Sequence, residues 1–139
     1  MGTSIRSELS RRNPYWIGKH RYYELKHFCL QYPIWQKAYF ALDGLSKRPD
    51  DLNLYFKRNE IGDPTARCGL SMAYFSAKIE MVKSTAEKTD PELSDYILKG
   101  VTEGLSYDIL KARLDIPCSK DTYYDRYRLF FWLLDKERN

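Results

Sequence analysis

Between Asp63 and Asp90 the residues Cys68, Met72, Phe75, Ile79, Val82 and Ala86 recur at intervals of four and three. That spacing returns side chains to one line of an α-helix, whereas a strand, which changes face at every residue, would scatter them. Asp63-Pro64 supplies the start. The Asp carboxylate accepts from the free N–H groups of a first turn, and Pro fits the first helical position because the N–H it lacks has no partner there anyway. The spacing predicts a long central helix over 63–89, and the same Asp-Pro grammar recurs at Asp90-Pro91. Its seam has the heptad form of a helix pair, so Met72, Phe75, Ile79 and Val82 are candidate residues for a homodimer contact. Leu70, Tyr74, Ala77 and Met81 make a second apolar stripe beside it. Either one stripe packs on the chain's own helices and the other on a partner chain, or both are buried within a single subunit.

Helical spacing also governs what precedes and follows. Tyr22, Leu25, Phe28 and Cys29 share one face, Pro33 interrupts, and Ile34, Trp35, Ala38, Tyr39 and Leu42 resume, which predicts two helices joined near Tyr32-Pro33. Asp43-Gly44 reads as a stop, and the stretch to residue 62 reads as a connecting loop with one short turn of structure around Leu52 to Phe56. Leu93, Tyr96, Ile97, Gly100 and Val101 mark a helix ending at "TEGL". Ser106 caps the next, with Ile109, Leu110 and Leu114 inward, and "DIPCS" is a turn. Ser119 caps a last helix running to about Lys136. No useful length alternates with period two, so the expected fold class is all-α. The expected organisation is a flexible basic arm over 1–13, an N-terminal helical region and connecting loop over 14–62, the central helix over 63–89, and a helix-turn-helix domain over 90–139.

The last two segments, "GLSYDILKARLDIPCSKDTYYDRYRLFF", have the layout by which a short bracing helix presents a second helix to the major groove. Wound at 100° per residue, that second helix gathers Tyr124, Tyr127, Phe131 and Leu134 on one face, with Tyr123 and Phe130 at its edge. Asp121, Thr122, Asp125 and Arg126 lie on the other face. Arg126 has the fork that meets guanine O6 and N7 together, and Asp125 either accepts from a cytosine amino group or orients Arg126. Ser119, Lys120, Thr122, Tyr123 and Arg128 suit the phosphate side of such an interface, and Lys111 and Arg113 on the preceding helix suit the backbone. The bland reading of this face is a solvated helix surface. Leu129, Trp132 and Leu133 make the helix apolar all round further along, so that segment must dock on the N-terminal helices or on a second subunit.

Charge agrees with a polyanion partner without requiring one. The net charge is +4, and the excess is N-terminal: residues 1–40 carry seven Lys and Arg against two Glu. Arg11, Arg12, Lys19 and Arg21 are candidates for an arm that touches phosphate. Twelve Tyr beside three Trp and six Phe suit half-buried surfaces or an aromatic core. No apolar run approaches the roughly 18 residues that span a bilayer, and the polar start lacks the apolar segment of a secretory signal, so a soluble chain with no membrane role is expected. Three widely spaced Cys argue for thiols rather than a disulfide framework. His20 and His27 are seven apart and so poorly spaced for zinc, and Cys118, though at a helix start, has no His near it in sequence. With no phosphate-binding Gly loop and no hydrolase or metalloprotease motif, the sequence predicts neither an enzyme nor a cofactor.

The stretches "SRRNPYWIGKHRYYELKHFCLQYP", "GDPTAR" and "YILKGVTEGLSYDILKARLDIPCSKDTYYDRYRLFFWLL" resemble small phage and prophage regulators of the RinA/ArpU late-transcription type from Firmicutes. The part from Gly104 onward is similar to the region of sigma factors that recognises promoter −35 elements, with a longer turn between Ile116 and Thr122. The resemblance covers most of the chain from about residue 11, and rests on helical patterns rather than on invariant chemistry. It implies a non-catalytic activator of late phage genes, bound to double-stranded DNA in the cytoplasm of a bacterial host, with host RNA polymerase as a candidate second partner. Two alternatives stand beside it. One is a phage protein-interaction module that binds host polymerase or inhibits a host defence enzyme; the other is a packaging or recombination accessory protein that uses the same fold on DNA.

Overall fold

The computed structural model describes residues 13–56 and 63–139, and its regular elements there are all helices. They are α1 (Lys19–Leu30), α2 (Tyr32–Ser46), α3 (Pro49–Tyr55), α4 (Pro64–Thr89), α5 (Ser94–Glu103), α6 (Tyr107–Leu114) and α7 (Lys120–Glu137). The fold is all-α. None of these helices is long and apolar enough to cross a membrane.

Contacts divide the chain differently from the sequential blocks expected at 14–62, 63–89 and 90–139. The segment ending at Gln31 groups with Met81–Asn139, and Tyr32–Glu80 forms a second unit. The central helix thus contributes its two halves to two cores. Most of the arm expected over 1–13 lies outside the described residues, as does the end of the loop expected up to residue 62.

Several starts and stops follow the predicted chemistry. Asp63 accepts from Ala66 N–H at 2.8 Å, capping α4 as Asp-Pro requires. Ser106 accepts from Ile109 N–H at 3.3 Å and Ser119 from Thr122 N–H at 3.2 Å, capping α6 and α7. Gly104 closes α5 with φ of 70°, the left-handed conformation that favours glycine. Two boundaries differ. Helix α2 runs through Asp43-Gly44 to Ser46, since one glycine costs a helix only about 1 kcal/mol and Ser46 Oγ donates to Asp43 O at 2.7 Å. Asp90 caps a single turn, accepting from Glu92 and Leu93 N–H, and α5 begins only at Ser94.

In the Tyr32–Glu80 unit, Leu42, Leu52, Phe56 and Cys68 are buried, with Leu45, Met72 and Phe75 packed against them. Of the residues expected at a dimer contact, Met72 and Phe75 are half-buried and pack on their own core, Val82 has no exposure, and Ile79 is half-buried. Ile34, expected inside, is 64% exposed, because the buried line of α2 runs through Trp35 and Leu42, seven residues apart, and Ile34 sits off it. The second stripe of α4 is exposed at Leu70, Tyr74 and Ala77.

The other unit is built around α7. Tyr22 on α1 meets the rings of Tyr127 and Phe131, the latter at 5.2 Å, and its hydroxyl pairs with that of Tyr127 at 2.5 Å. Tyr15 packs on Trp132, Arg138 lies over the Phe28 ring at 3.7 Å, and Arg21 pairs with Asp135. The apolar C-terminal part of α7 therefore docks on α1 and the segment before it, one of the two alternatives expected for Trp132. The opposite flank is equally closed. Tyr123 and Phe130, expected at the edge, have no exposure, because α5 and α6 also pack against α7. Leu114, expected inside, is 41% exposed, since it is the last residue of α6 before Asp115 turns the chain with φ of 51°.

Gly100 is required where α5 crosses α7: a Cβ there would overlap the Tyr123 hydroxyl. That hydroxyl is buried and has no hydrogen-bond partner among the described residues. Gly100→Ala should therefore cost about 1–3 kcal/mol in urea unfolding, as overpacking does, and Tyr123→Phe should recover much of the loss by removing the clashing oxygen. Tyr123→Phe alone should be neutral or stabilising, because it deletes a buried hydroxyl that bonds to nothing. Independent, additive losses would contradict this packing.

Candidate nucleic-acid interface

The segment from Ser106 to Thr122 is a short helix, a turn and the start of a long helix, and three kinds of contact fix it. The caps at Ser106 and Ser119 satisfy first-turn N–H groups, and the Ser119 hydroxyl also reaches Thr122 Oγ1 at 3.0 Å. Tyr107 pins the turn twice: its hydroxyl donates to Cys118 O at 2.6 Å, and its N–H donates to the Tyr124 hydroxyl at 3.2 Å. Leu110 and Ile116, neither exposed, fill the space beneath. Buried aromatics and a bonded turn hold α6 and the first turn of α7 in one geometry, which any surface that reads a rigid ligand requires.

That frame exposes Leu114 and Pro117 beside a set of polar side chains. Lys111, Arg113, Ser119, Lys120 and Thr122 are all exposed, together with Asp115 and Asp121. Lys111 Nζ lies 3.1 Å from Asp115 and 3.4 Å from Ile116 O, so it closes the end of α6 while remaining at the surface. The hydrogen bond it donates to Asp115 pushes its pKa up and keeps it cationic. Arg113 and Lys120 have no ion-pair partner among the described residues, and Lys120 opens α7 where the helix end itself favours anions.

Other sequence-chosen residues lie elsewhere or are engaged. Tyr123 is fully buried against α5 and cannot touch a phosphate. Arg126, the expected guanine reader, has Nε 3.1 Å from Asp90 and Nη1 2.6 Å from Asp125, so both edges of its fork are held. The hydrogen bond it donates to Asp90, with the charge of Asp125 behind it, raises its pKa against the opposing effect of burial. Asp125 thus has the orienting role that was one of its two expected roles. Arg128 is half-buried, and its Nε is shielded from solvent. Arg21 is tied to Asp135 and to Glu24, not free for an arm; Lys19 is exposed; Arg11 and Arg12 lie outside the described residues.

Sequence reasoning missed Asp90. It caps the turn before α5 with one oxygen and holds Arg126 with the other, joining the α4–α5 connection to α7. The Asp-Pro pair gave its capping role, but nothing local to residue 90 points to residue 126.

The cysteines offer little chemistry, and so does the cavity beside α1, α5 and α7. Burial pushes the thiol of Cys118 up, and the carboxylate of Asp90 adds to it, which outweighs the lowering by Lys111 and Arg126. Cys29 is fully buried and its thiol is pushed well up. Among the described residues no three His, Cys, Asp or Glu gather in a metal-binding group. A cavity of about 100 Å³ is lined by Tyr22, Lys26, Gly100, Gly104, Tyr127 and their neighbours. Pockets that enclose organic ligands are roughly 300–1,000 Å³, so this one suits a few waters.

No family model, curated protein or solved structure matches the chain.

Asp90→Ala should cost about 1–2 kcal/mol in urea unfolding, mainly through the lost cap. Arg126→Ala should cost less than about 1 kcal/mol, because an ion pair at 35% exposure is screened by water. Equal losses would mean that the ion pair, not the cap, holds this corner.

Proposed function

We propose that the chain is a sequence-specific binder of double-stranded DNA that regulates transcription of phage or prophage late genes, without catalysis, as its resemblance to RinA/ArpU-type activators implies. In this reading α6 braces against the backbone, and α7 enters the major groove as the second helix of a helix-turn-helix. One observation carries it: a capped and hydrogen-bonded turn ties α6 to the first turn of α7, and Arg113, Lys120 and Thr122 are exposed there. Arg113 and Lys111 then meet phosphates from α6, and Ser119, Lys120 and Thr122 meet the groove from the start of α7. Arg126 positions α7 from behind instead of reading guanine.

A second reading has its own support. Six of the eight large hydrophobic side chains exposed among the described residues lie between Tyr32 and Glu80, where a protein partner would cover them. Host RNA polymerase or a host defence enzyme would be such a partner, and a packaging or recombination accessory role would combine this surface with DNA.

Selection from randomised duplexes at two salt concentrations separates these readings. DNA recognition predicts an enriched sequence, affinity that falls steeply with salt, and a weaker salt slope for Lys120→Ala, smaller by about one charge. Arg126→Ala should retain binding in proportion to its folded fraction. Absence of any enriched sequence or salt-dependent binding by the folded protein would overturn the proposal and favour a protein partner.

A further inference from the structure

We infer that Asp121 is the residue of this surface that selects a base, by accepting a hydrogen bond from the amino group of a cytosine in the major groove. The inference rests on the DNA-binding reading and adds to it a residue to which that reading gives no contact.

Asp115 and Asp121 are the exposed carboxylates of the segment from Lys111 to Thr122, and their surroundings differ. Asp115 lies 3.1 Å from Lys111 Nζ, and one turn further along α7 Asp125 lies 2.6 Å from Arg126 Nη1. Asp121 has no ion-pair or hydrogen-bond partner among the described residues, and neither has Lys120 before it. The hydroxyls on either side are tied to each other: Ser119 Oγ accepts from Thr122 N–H at 3.2 Å and donates to Thr122 Oγ1 at 3.0 Å. Lys120 and Asp121 are therefore the side chains at the start of α7 that keep their full hydrogen-bonding capacity for a ligand.

An uncompensated carboxylate does not suit the phosphate backbone, where it faces like charge. It suits a hydrogen-bond donor in the groove. In a helix-turn-helix the residues that reach base edges lie at the N-terminal end of the second helix, and Asp121 is the second residue of α7. Guanine shows O6 and N7 in the major groove and thymine shows O4, all acceptors that repel a carboxylate. Adenine shows its N6 amino group beside the acceptor N7. Cytosine shows the N4 amino group alone. Cytosine is thus the base that matches Asp121 without a penalty, and Lys120 beside it offsets the charge so that the first turn of α7 does not hold the duplex away. An Asp in a first turn also favours the helix dipole without any ligand, and the two roles give different results when the residue is changed.

Parallel selections from randomised duplexes with the wild-type chain, Asp121→Ala and Asp121→Asn test this. The wild type should enrich a site with a C·G pair at a position where Asp121→Ala tolerates all four bases, with the rest of the site unchanged. Replacing that pair in the selected duplex should weaken the wild type about fivefold or more, and Asp121→Ala should lose the difference. Asp121→Asn should shift the preference there toward adenine, whose N6 and N7 an amide meets together. Helicity by circular dichroism should be the same for all three. If both variants enrich the wild-type site with unchanged discrimination at every position, or bind all sequences uniformly more weakly, Asp121 serves only the start of α7, and the inference is overturned while the DNA-binding reading stands. If the wild type itself enriches no sequence, that reading fails and the role of Asp121 fails with it.

Discussion

The contact of Tyr22 with Tyr127 and Phe131 fixes where α7 lies, and most of what α7 does follows from that. Two rings from α7 close on one ring from α1, and the hydroxyls of Tyr22 and Tyr127 satisfy each other in a place where an unpaired one would be costly. Burial and the neighbouring tyrosine raise the Tyr127 pKa well above its ordinary value, so the pair stays neutral and bonded at physiological pH. With that flank closed by α1 and the Tyr123 flank closed against Gly100, α7 is exposed at its first turn and again at Lys136 and Glu137, and α6 is exposed at its end. The polar edge is what remains after the aromatic residues have been buried.

This explains why tyrosine is so abundant. Tyr107, Tyr22 and Tyr127 each bury a ring face and use the hydroxyl to tie a turn or a second helix, which Phe could not do. Tyr123 is the exception: its ring fills the α5–α7 crossing while its hydroxyl bonds to nothing among the described residues.

Helix existence was legible from spacing and caps, because those signals are local. Tyr22, Leu25, Phe28 and Cys29 were expected on one face and are all buried, and Asp63, Ser106 and Ser119 cap where their side chains predict. Errors arose wherever the outcome depends on a second element. Tyr123 looked like an edge residue on an isolated helix and is buried because α7 is packed on two sides. Arg126 looked free because its partner Asp90 is 36 residues away in sequence. Met72, Phe75 and Val82 looked like a dimer seam because a heptad pattern does not say whether its partner is the same chain or another. Of the expected site, Lys111, Arg113, Ser119, Lys120 and Thr122 are exposed together, and Tyr123, Arg126 and Arg21 are engaged elsewhere.

On the proposed function, the exposed end of α6 and the first turn of α7 meet DNA. Backbone amide chemical shifts of the labelled protein, followed while a selected duplex is added, test it residue by residue. The account predicts that the largest changes fall between Lys111 and Thr122, with Ala66 to Ala77 on α4 unmoved. Changes confined to α2–α4, or none at all, would contradict it.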